Sequence, residues 1–397
     1  MSRGILEGIK VLDLSRVLAG PYCGMLLADM GAEVIKIEIP GKGDDSRAFG
    51  PFINGESSYY MNLNRNKKSI TLNLKCEEGK KLFLELVKKA DVVLENYRPG
   101  TMEKLGLGYE QLKEINPGIV YGCVSGFGHY GPYSKRAGYD IIGQAMGGLM
   151  STTGWPGGEP TRTGTAMGDV LGGLSITSGI LAAIINKLRT GEGQKVDVSL
   201  VDSVVSSLEI ITQIYLSSGQ IPERIGNRYE STYPYDSFRV KDGSIVIACG
   251  NDKLFGILAD EMGQPQLIND ERFVRNIDRV TNHAALKTII EEWSAGFTID
   301  ELVDRLLELG VPAAPINTID RIVNDPHIAG AREMFVEVDH PVAGKNKITG
   351  NHIKFSDLKA EIRTPAPTLG QHNEEVYSEI LGLSTEEINE LKEKKYI

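Results

Sequence analysis

One aspartate stands out as a candidate for covalent chemistry. Asp169 ends a glycine-rich segment, residues 152–168, and precedes an uncharged run, residues 170–186. An aspartate in this position is typical of a helix N-cap, which is the simpler interpretation. The predicted helix over 170–187 is however too apolar for a surface helix, so the carboxylate would be partly shielded from water and held in place. Such a carboxylate can also act as a nucleophile toward an activated acyl group, with backbone N–H groups stabilising the oxyanion.

Basic side chains recur in the first half of the chain, where solvated surface is the ordinary interpretation. Arg16, Lys42 and Arg98, however, each follow a predicted strand. In an open α/β sheet, ligands bind in the crevice beyond the carboxyl ends of the strands. A phosphate-bearing ligand in that crevice would explain such residues in a chain whose net charge is -10.

Other familiar site motifs are incomplete. The turn SRVLAGPYCG lacks the G-x-G-x-x-G spacing of dinucleotide-binding folds, although Glu38 stands where a ribose-binding carboxylate would. Ser125 in GCVSG lacks the glycine two residues earlier that a nucleophile elbow needs, so it is interpreted as a turn residue at a strand end. The histidines and cysteines show no metal-ligand spacing and no C-x-x-C pair. The sequence predicts no metal site, no permanently bound cofactor and no disulfide framework.

The elements that must position these residues alternate between strand and helix. Strands are predicted over residues 10–15, 33–38, 91–95, 119–125 and 195–200, and the helices between them over 22–30, 77–90, 109–116 and 170–187. Alternation at this spacing predicts an α/β fold with a doubly wound, Rossmann-like parallel sheet.

The composition of the chain changes after this alternating region. Residues 217–235 are polar and rich in turn formers, which predicts a linker after a large domain over residues 1–216. Residues 236–324 are interpreted as two strands followed by helices, a smaller α+β domain. Residues 325–397 contain short strands, loops and two helical segments.

Overall composition excludes several classes of partner. A net charge of -10 disfavours nucleic acid and anionic membrane surfaces. Residues 1–10 lack the apolar region of a secretory signal, so a cytoplasmic location is expected. The run over residues 170–186 approaches the length of a membrane span, but its glycines and polar side chains favour a buried helix of a soluble protein.

Six longer motifs occur in order from about residue 6 to the C-terminus: GIKVLDLSRVLAGPYCGMLLADMGAEVIKIE, NLNRNKKSITLNLK, DVVLENYRPGTMEKLGLGYEQLKEINPGIVYGCVSGFG, RAGYDIIGQAMGG, TRTGTAMGD and PTLGQHNEEV. Together they resemble the class III coenzyme A transferases, the CaiB/BaiF family. The resemblance is weakest in the smaller domain. It implies an interlocked homodimer in which residues 325–397 return to complete a large CoA-binding domain.

The resemblance also implies roles for particular residues. Asp169, the aspartate of MGD, would be the acyl-accepting nucleophile. CoA would be bound by residues of the first loop, of SITLNLK, of ENYRPG and of the segment before RAGYD: Arg16, Val17, Leu18, Ala19, Leu72, Lys75, Asn96, Arg98, Lys104, Arg136 and Tyr139. The last two would lie near the thioester.

The implied reaction moves CoA from an acyl-CoA donor to a free carboxylic acid, through an aspartyl mixed anhydride and an aspartyl-CoA thioester. An α-methylacyl-CoA racemase on the same fold is the first alternative. Those enzymes place a histidine where this chain has Tyr139, and a phenol is a poor general base at neutral pH. A non-catalytic CoA-binding protein is the second alternative. The sequence does not identify the donor or the acceptor acid.

Overall fold

The computed structural model describes residues 4–397; residues 1–3, part of the predicted first domain and of the N-terminal segment considered above, lie outside the described residues. The strands are β1 (Lys10–Asp13), β2 (Glu33–Glu38), β3 (Phe52–Ile53), β4 (Glu56–Ser57), β5 (Lys67–Thr71), β6 (Val92–Glu95), β7 (Val120–Ser125), β8 (Lys195–Ser199), β9 (Tyr235–Val240), β10 (Gly243–Ala248), β11 (Ala313–Pro315), β12 (Phe335–His340) and β13 (Gly344–Thr349).

The α-helices are α1 (Ala19–Asp29), α2 (Ser58–Asn64), α3 (Glu77–Val87), α4 (Thr101–Leu105), α5 (Tyr109–Ile115), α6 (Asp140–Met146), α7 (Leu149–Thr152), α8 (Met167–Thr190), α9 (Leu200–Ser206), α10 (Ile210–Ser218), α11 (Asp252–Glu261), α12 (Asn276–Thr281), α13 (His283–Ser294), α14 (Ile299–Glu308), α15 (Ile319–Ile322), α16 (Asn373–Leu381) and α17 (Thr385–Glu393). Short 3-10 turns lie at Asp45–Ala48 and Pro265–Asn269, and a π-helical turn lies at Pro326–Ala331.

The chain forms two compact units whose bounds differ from the predicted ones. The larger unit contains the chain up to Leu149, Arg162–Gln213 and Asp325–Ile397, and the smaller contains Met150–Thr161 and Ile214–Asn324. Residues 217–235 are therefore part of the smaller unit and not a linker. The physical reason is burial, since Tyr233 is fully buried in the core of that unit and packs against Phe238.

The larger unit is built on a six-stranded sheet with the order β5-β2-β1-β6-β7-β8, in which every neighbouring pair is parallel. The direction of strand order reverses at β1, which lies between β2 and β6. This arrangement confirms the predicted α/β class with a parallel sheet, and it opens a crevice at the carboxyl ends of the two strands that flank the reversal.

Both faces of this sheet are covered by helices, so the strands carry apolar side chains on both sides. Leu12, Val93 and Tyr121 pack with α3 on one face, whereas the preceding residues of the same strands pack with α1 and α8 on the other face. The smaller unit has its own three-stranded sheet, of order β11-β10-β9, covered by α11, α13 and α14.

Helix α8 begins earlier than predicted, which changes the position of the candidate nucleophile. It begins at Met167 with Ala166 as N-cap, so Asp169 is the third helical residue and not the cap. By length and hydropathy α8 could cross a membrane. In the structure, Gly172, Ile176, Ile180 and Ile184 instead face the core at four-residue intervals.

Several basic residues of the first half are buried in ion pairs beneath the first loop. Lys36 Nζ lies 2.8 Å from Asp44 Oδ2 and donates to the Ser15 carbonyl oxygen at 2.8 Å. Lys67 Nζ lies 2.9 Å from Asp13 Oδ2, and all four of these charged side chains are at most 1% exposed. Burial alone would raise the pKa of Asp44, but Lys36 holds it well below its usual range. These lysines support the loop and are not available to a ligand.

Replacing one partner of a buried pair tests this interpretation. We expect Lys67→Met to lower the free energy of unfolding by about 3–5 kcal/mol, because Asp13 would be left buried and unpaired. The neighbouring Lys68 lies 2.8 Å from Glu33 and 2.7 Å from Glu375 but is 30% exposed, so Lys68→Met should cost about 1 kcal/mol or less. Urea denaturation of both variants measures the difference, and equal losses would contradict the argument.

Candidate active site

Two cavities of the larger unit meet at the carboxyl ends of the central strands. The larger has a volume of about 1120 Å³ and the smaller about 160 Å³. They share the lining residues Arg16, Asn96, Tyr97, Arg98, Gly138 and Tyr139. Asp169 lines the smaller cavity, and the shared residues make the two cavities adjoining parts of one site.

The loop between β1 and α1 is fixed by side chains that lie beneath it. Asn96 accepts a hydrogen bond from the Arg16 N–H and donates one to the Arg16 carbonyl oxygen, both at 2.7 Å. The Val17 N–H donates to Asp44 Oδ1 at 3.2 Å, and Val17 has φ +66°, a strained conformation for a β-branched residue. Asn96 thus positions the loop and also lines both cavities, and its predicted contact with CoA stays a prediction.

A second carboxylate, missed by the sequence analysis, holds the start of α8. Asp140 Oδ1 accepts hydrogen bonds from the N–H groups of Gly168 at 2.8 Å and Asp169 at 3.3 Å. Its other oxygen accepts from Gln144 Nε2 at 2.7 Å. Asp140 therefore acts as the cap that Asp169 was expected to be. Asp140 directly follows the predicted site residue Tyr139 in RAGYD. Its position in the sequence gave no indication that it would contact α8, because that helix begins 27 residues later.

Asp169 is partly buried and has an altered acidity. Burial and the nearby Asp140 carboxylate raise its pKa to about 7, because both disfavour a second negative charge. The ionised carboxylate is therefore a stronger base and nucleophile than that of an ordinary aspartate. Near neutral pH the protonated and the ionised forms are both populated. Val17, Leu18, Ala19, Arg136 and Tyr139 line the same small cavity, and their predicted contacts with CoA stay a prediction.

The predicted cationic residues fall into three groups. Arg16 and Lys42 are paired with Asp45, at 3.2 and 2.8 Å, so part of their charge is neutralised. Lys75 and Arg98 line the large cavity with exposed side chains, and Arg136 stacks on Tyr133 with its guanidinium 3.7 Å from the ring centroid. Lys104 is exposed and lines neither cavity, although its neighbours Thr101 and Leu105 line the larger one.

The wall of the large cavity opposite Asp169 contains residues that the sequence analysis did not select. Ile37, Ile39, Leu72 and Leu74 give it an apolar surface, and Lys395 and Ile397 lie beside them. Leu72 was among the predicted contacts. The resemblance placed residues 325–397 in the large domain, but it named neither Lys395 nor Ile397 as a ligand contact.

Glu38 and Ser125 also line the cavities. Glu38 was considered as a ribose ligand, but its carboxylate accepts two hydrogen bonds from Arg47, at 2.7 and 2.8 Å, and one from Ser69 at 2.6 Å. Ser125 lies at the end of β7, as predicted, and lines the small cavity with Asp169. Within residues 4–397 its hydroxyl oxygen is buried without a hydrogen-bond partner.

One buried cluster has donor types that bind metals. Ligand atoms of Glu95, Cys123 and His129 lie within 4.8 Å of one another. Lys195 Nζ lies 3.0 Å from His129 Nδ1, however, and this cation opposes binding of a metal ion. Burial raises the pKa of Glu95 to about 7. The three residues line neither cavity, so the cluster supplies no ligand to the site.

Comparison with known proteins agrees with this geometry. Residues 6–373 match the family described as CoA-transferase family III. Human succinyl-CoA:glutarate CoA-transferase is 41% identical over 391 residues, which cover 97% of this chain and 88% of the relative. Succinyl-CoA--D-citramalate CoA-transferase of Chloroflexus aurantiacus is 41% identical over 394 residues, which cover 99% of this chain and 98% of the relative.

A solved structure shows the same fold. The crystal structure of a CaiB/BaiF family protein from Brucella suis superposes with a TM-score of 0.85 at 41% identity, covering 96% of this chain and 100% of that chain. The chain therefore belongs to family III of the CoA-transferases, as its motifs indicated, and is an enzyme of that class.

The altered acidity of Asp169 predicts a pH-dependent stability change. A carboxyl whose pKa is raised on folding destabilises the folded state as pH rises from its ordinary value of 3.8 to about 7. Asp169→Asn removes this charge, so at pH 8 we expect a higher melting temperature, by about 1 °C for each kcal/mol regained in a chain of 397 residues. At pH 4 the difference should be much smaller, because the carboxyl is then protonated in the folded state and close to its ordinary pKa in the unfolded state.

Calorimetry at pH 8 and pH 4 measures this effect in the protein without substrate. Asp304→Asn, at an exposed position of α14, is the control for loss of a negative charge and should give no comparable change. A lower melting temperature for Asp169→Asn at pH 8 would contradict the acidity assigned to Asp169.

Proposed function

We propose that this enzyme transfers CoA from an acyl-CoA donor to a free carboxylic acid with Asp169 as the covalent nucleophile. The supporting observation is a partly buried carboxylate in a small cavity that shares six lining residues with a large cavity, which is also lined by the exposed side chains of Lys75 and Arg98. A ligand with a phosphorylated end and a thioester end fits such a site when the thioester reaches Asp169.

We propose succinyl-CoA as the donor and a short dicarboxylic acid as the acceptor. This proposal rests on the two relatives described above, both named for succinyl-CoA and for a polar acid. Arg136 supports it, because its guanidinium lines the small cavity and can pair with the second carboxylate of such an acid.

The first half-reaction begins with the ionised Asp169. One carboxylate oxygen attacks the thioester carbonyl carbon, the C–S bond breaks, and CoA leaves as a thiolate. The thiolate then attacks the Asp169 carbonyl carbon of the mixed anhydride and releases the donor acid. Asp169 is left as a thioester with CoA.

The second half-reaction repeats these steps in reverse order. The acceptor carboxylate attacks the Asp169 carbonyl carbon and displaces the thiolate, forming a second mixed anhydride. The thiolate attacks the acceptor acyl carbon, the new acyl-CoA forms, and Asp169 leaves as a free carboxylate. No proton, electron pair or co-reactant is left over, and exclusion of water keeps the thioester from hydrolysis.

We also propose that two copies interlock, as the resemblance implied. Apolar side chains beside the small cavity support this, because Tyr139 is 73% exposed and Ile141 and Met146 of α6 are 48% and 49% exposed. Such a cluster is typical of a surface that a second protein covers. Light scattering of the purified protein distinguishes a dimer from a monomer.

Trapping the covalent intermediate tests the role of Asp169. In the presence of succinyl-CoA, hydroxylamine should convert the Asp169 carboxyl to a hydroxamate, which mass spectrometry detects on the peptide that contains it. Asp169→Ala should give no adduct and should lose more than about a thousandfold in rate, as loss of a covalent nucleophile does, while still binding CoA. If Asp169→Ala kept more than about a thousandth of the wild-type rate, Asp169 would not be the nucleophile. Incorporation of solvent deuterium at the α-carbon, without exchange of acids, would instead indicate a racemase.

The pH profile provides an independent test. Since only the ionised carboxylate attacks, kcat/KM should rise with pH around a midpoint near 7. Asp140→Asn should move this midpoint to lower pH, because it removes a negative charge while keeping an oxygen that can accept from the α8 N–H groups. Asp304→Asn serves again as the control, and an unchanged midpoint in Asp140→Asn would contradict the assigned cause.

A further inference from the structure

One unpaired lysine lies on the wall of the large cavity, which Asp169 does not line. Lys395 lines the large cavity and not the small one, and its side chain is exposed. Its neighbours are paired, since Lys392 lies 3.0 Å from Glu374 and Lys394 lies 3.1 Å from Glu390. In the described part of the chain, no carboxylate comes within ion-pair distance of Lys395.

The backbone of Lys395 is held rigidly at this position. It follows α17 with φ +57°, and the N–H groups of Lys395 and Tyr396 donate to the carbonyl oxygens of Lys392 and Leu391, at 3.0 and 2.9 Å. This is a Schellman motif, which reverses the chain direction. The Tyr396 carbonyl oxygen then accepts from the Asn73 N–H at 2.8 Å, and Ile397 is buried with Leu72 in the core. The lysine therefore projects from an ordered segment.

The two ends of the site determine which part of a ligand Lys395 can meet. The thioester must reach Asp169 in the small cavity, so the nucleotide must lie at the opposite end of the large one. The residues that line the large cavity and not the small one include Ile37, Ile39 and Leu72, an apolar surface suited to an adenine ring, and the two lysines Lys75 and Lys395. The pyrophosphate lies between the two ends along the ligand, whereas the 3′-phosphate is on the ribose beside the adenine.

Negative charge on the wall does not oppose this assignment. Glu38 is the acidic residue of the large-cavity lining. Its carboxylate is neutralised by the two hydrogen bonds from Arg47 and accepts another from Ser69. Lys75 and Lys395 line the same cavity with exposed side chains.

We propose that Lys395 binds the 3′-phosphate of CoA and determines the preference of this enzyme for CoA over dephospho-CoA. The inference rests on the proposed function to the extent that CoA occupies the large cavity. The ammonium donates a charge-assisted hydrogen bond to a phosphate oxygen. Dephospho-CoA differs from CoA by this one phosphate and is the matched ligand for the test.

Isothermal titration of the full-length protein with each ligand measures this preference. Lys395→Ala should weaken binding of CoA by about five- to tenfold, as loss of one charge-assisted contact does, and leave binding of dephospho-CoA unchanged. Lys395→Arg should retain the preference for CoA. Lys394→Ala removes a paired lysine one position away and should change neither affinity.

A backbone effect is separated from a charge effect by a further variant. Lys395→Gly removes the ammonium but favours the left-handed backbone at this position, so it should lose affinity for CoA as Lys395→Ala does. Equal losses of affinity for both ligands would place Lys395 at the pyrophosphate and overturn the proposal, as would unchanged affinity for CoA.

Failure of this inference is distinguishable from failure of the proposed function. If the Asp169 adduct forms and Lys395→Ala still discriminates against dephospho-CoA as the wild type does, only the 3′-phosphate assignment is wrong. If the wild-type protein binds neither ligand, the proposed function is wrong and this inference falls with it.

Discussion

The site depends on the contact between the Asp140 carboxylate and the start of α8. By accepting hydrogen bonds from the first turn of that helix, Asp140 fixes the backbone that carries Asp169. Burial of Asp169 and, beside it, the same negative charge of Asp140 raise the pKa of Asp169 to about 7. Asp140 therefore contributes both to the position and to the reactivity of Asp169, because a group that held the helix without a charge would leave a more acidic aspartate.

The loop between β1 and α1 is also held in place by polar side chains. Its backbone adopts a strained conformation at Val17, which persists because Asn96 and Asp44 bind the adjacent N–H groups and Lys36 binds the Ser15 carbonyl oxygen. The polar groups that enforce this shape face away from the cavity or are already paired. The large cavity can therefore present an apolar wall and a few exposed cations to a ligand. The buried ion pairs that support the loop are not needed for contact with that ligand.

Local periodicity predicted five of the six strands of the central sheet, because each of those strands carries its own burial pattern, whereas the edge strand β5 (Lys67–Thr71) was missed. It also led to Asp169, although the helix start was placed three residues late, since the cap comes from Asp140 on a different helix. Lys104 and Asn96 were selected by motif alone, and a motif does not show that Lys104 lies outside both cavities or that Asn96 also binds the backbone of the first loop. The role of 217–235 was missed because polar composition conceals Tyr233, whose burial depends on distant residues.

The segment that returns to the larger unit has a further consequence. Strand β5 lies at the edge of the sheet, and its N–H groups are bound there by side chains: Ser69 N–H donates to His372 Nδ1 at 3.1 Å, and Thr71 N–H donates to Asn373 Oδ1 at 2.9 Å. Until residues some 300 positions later arrive, this edge can pair with strands of other molecules. Slow closure of so distant a contact makes the nascent protein a candidate client of chaperones.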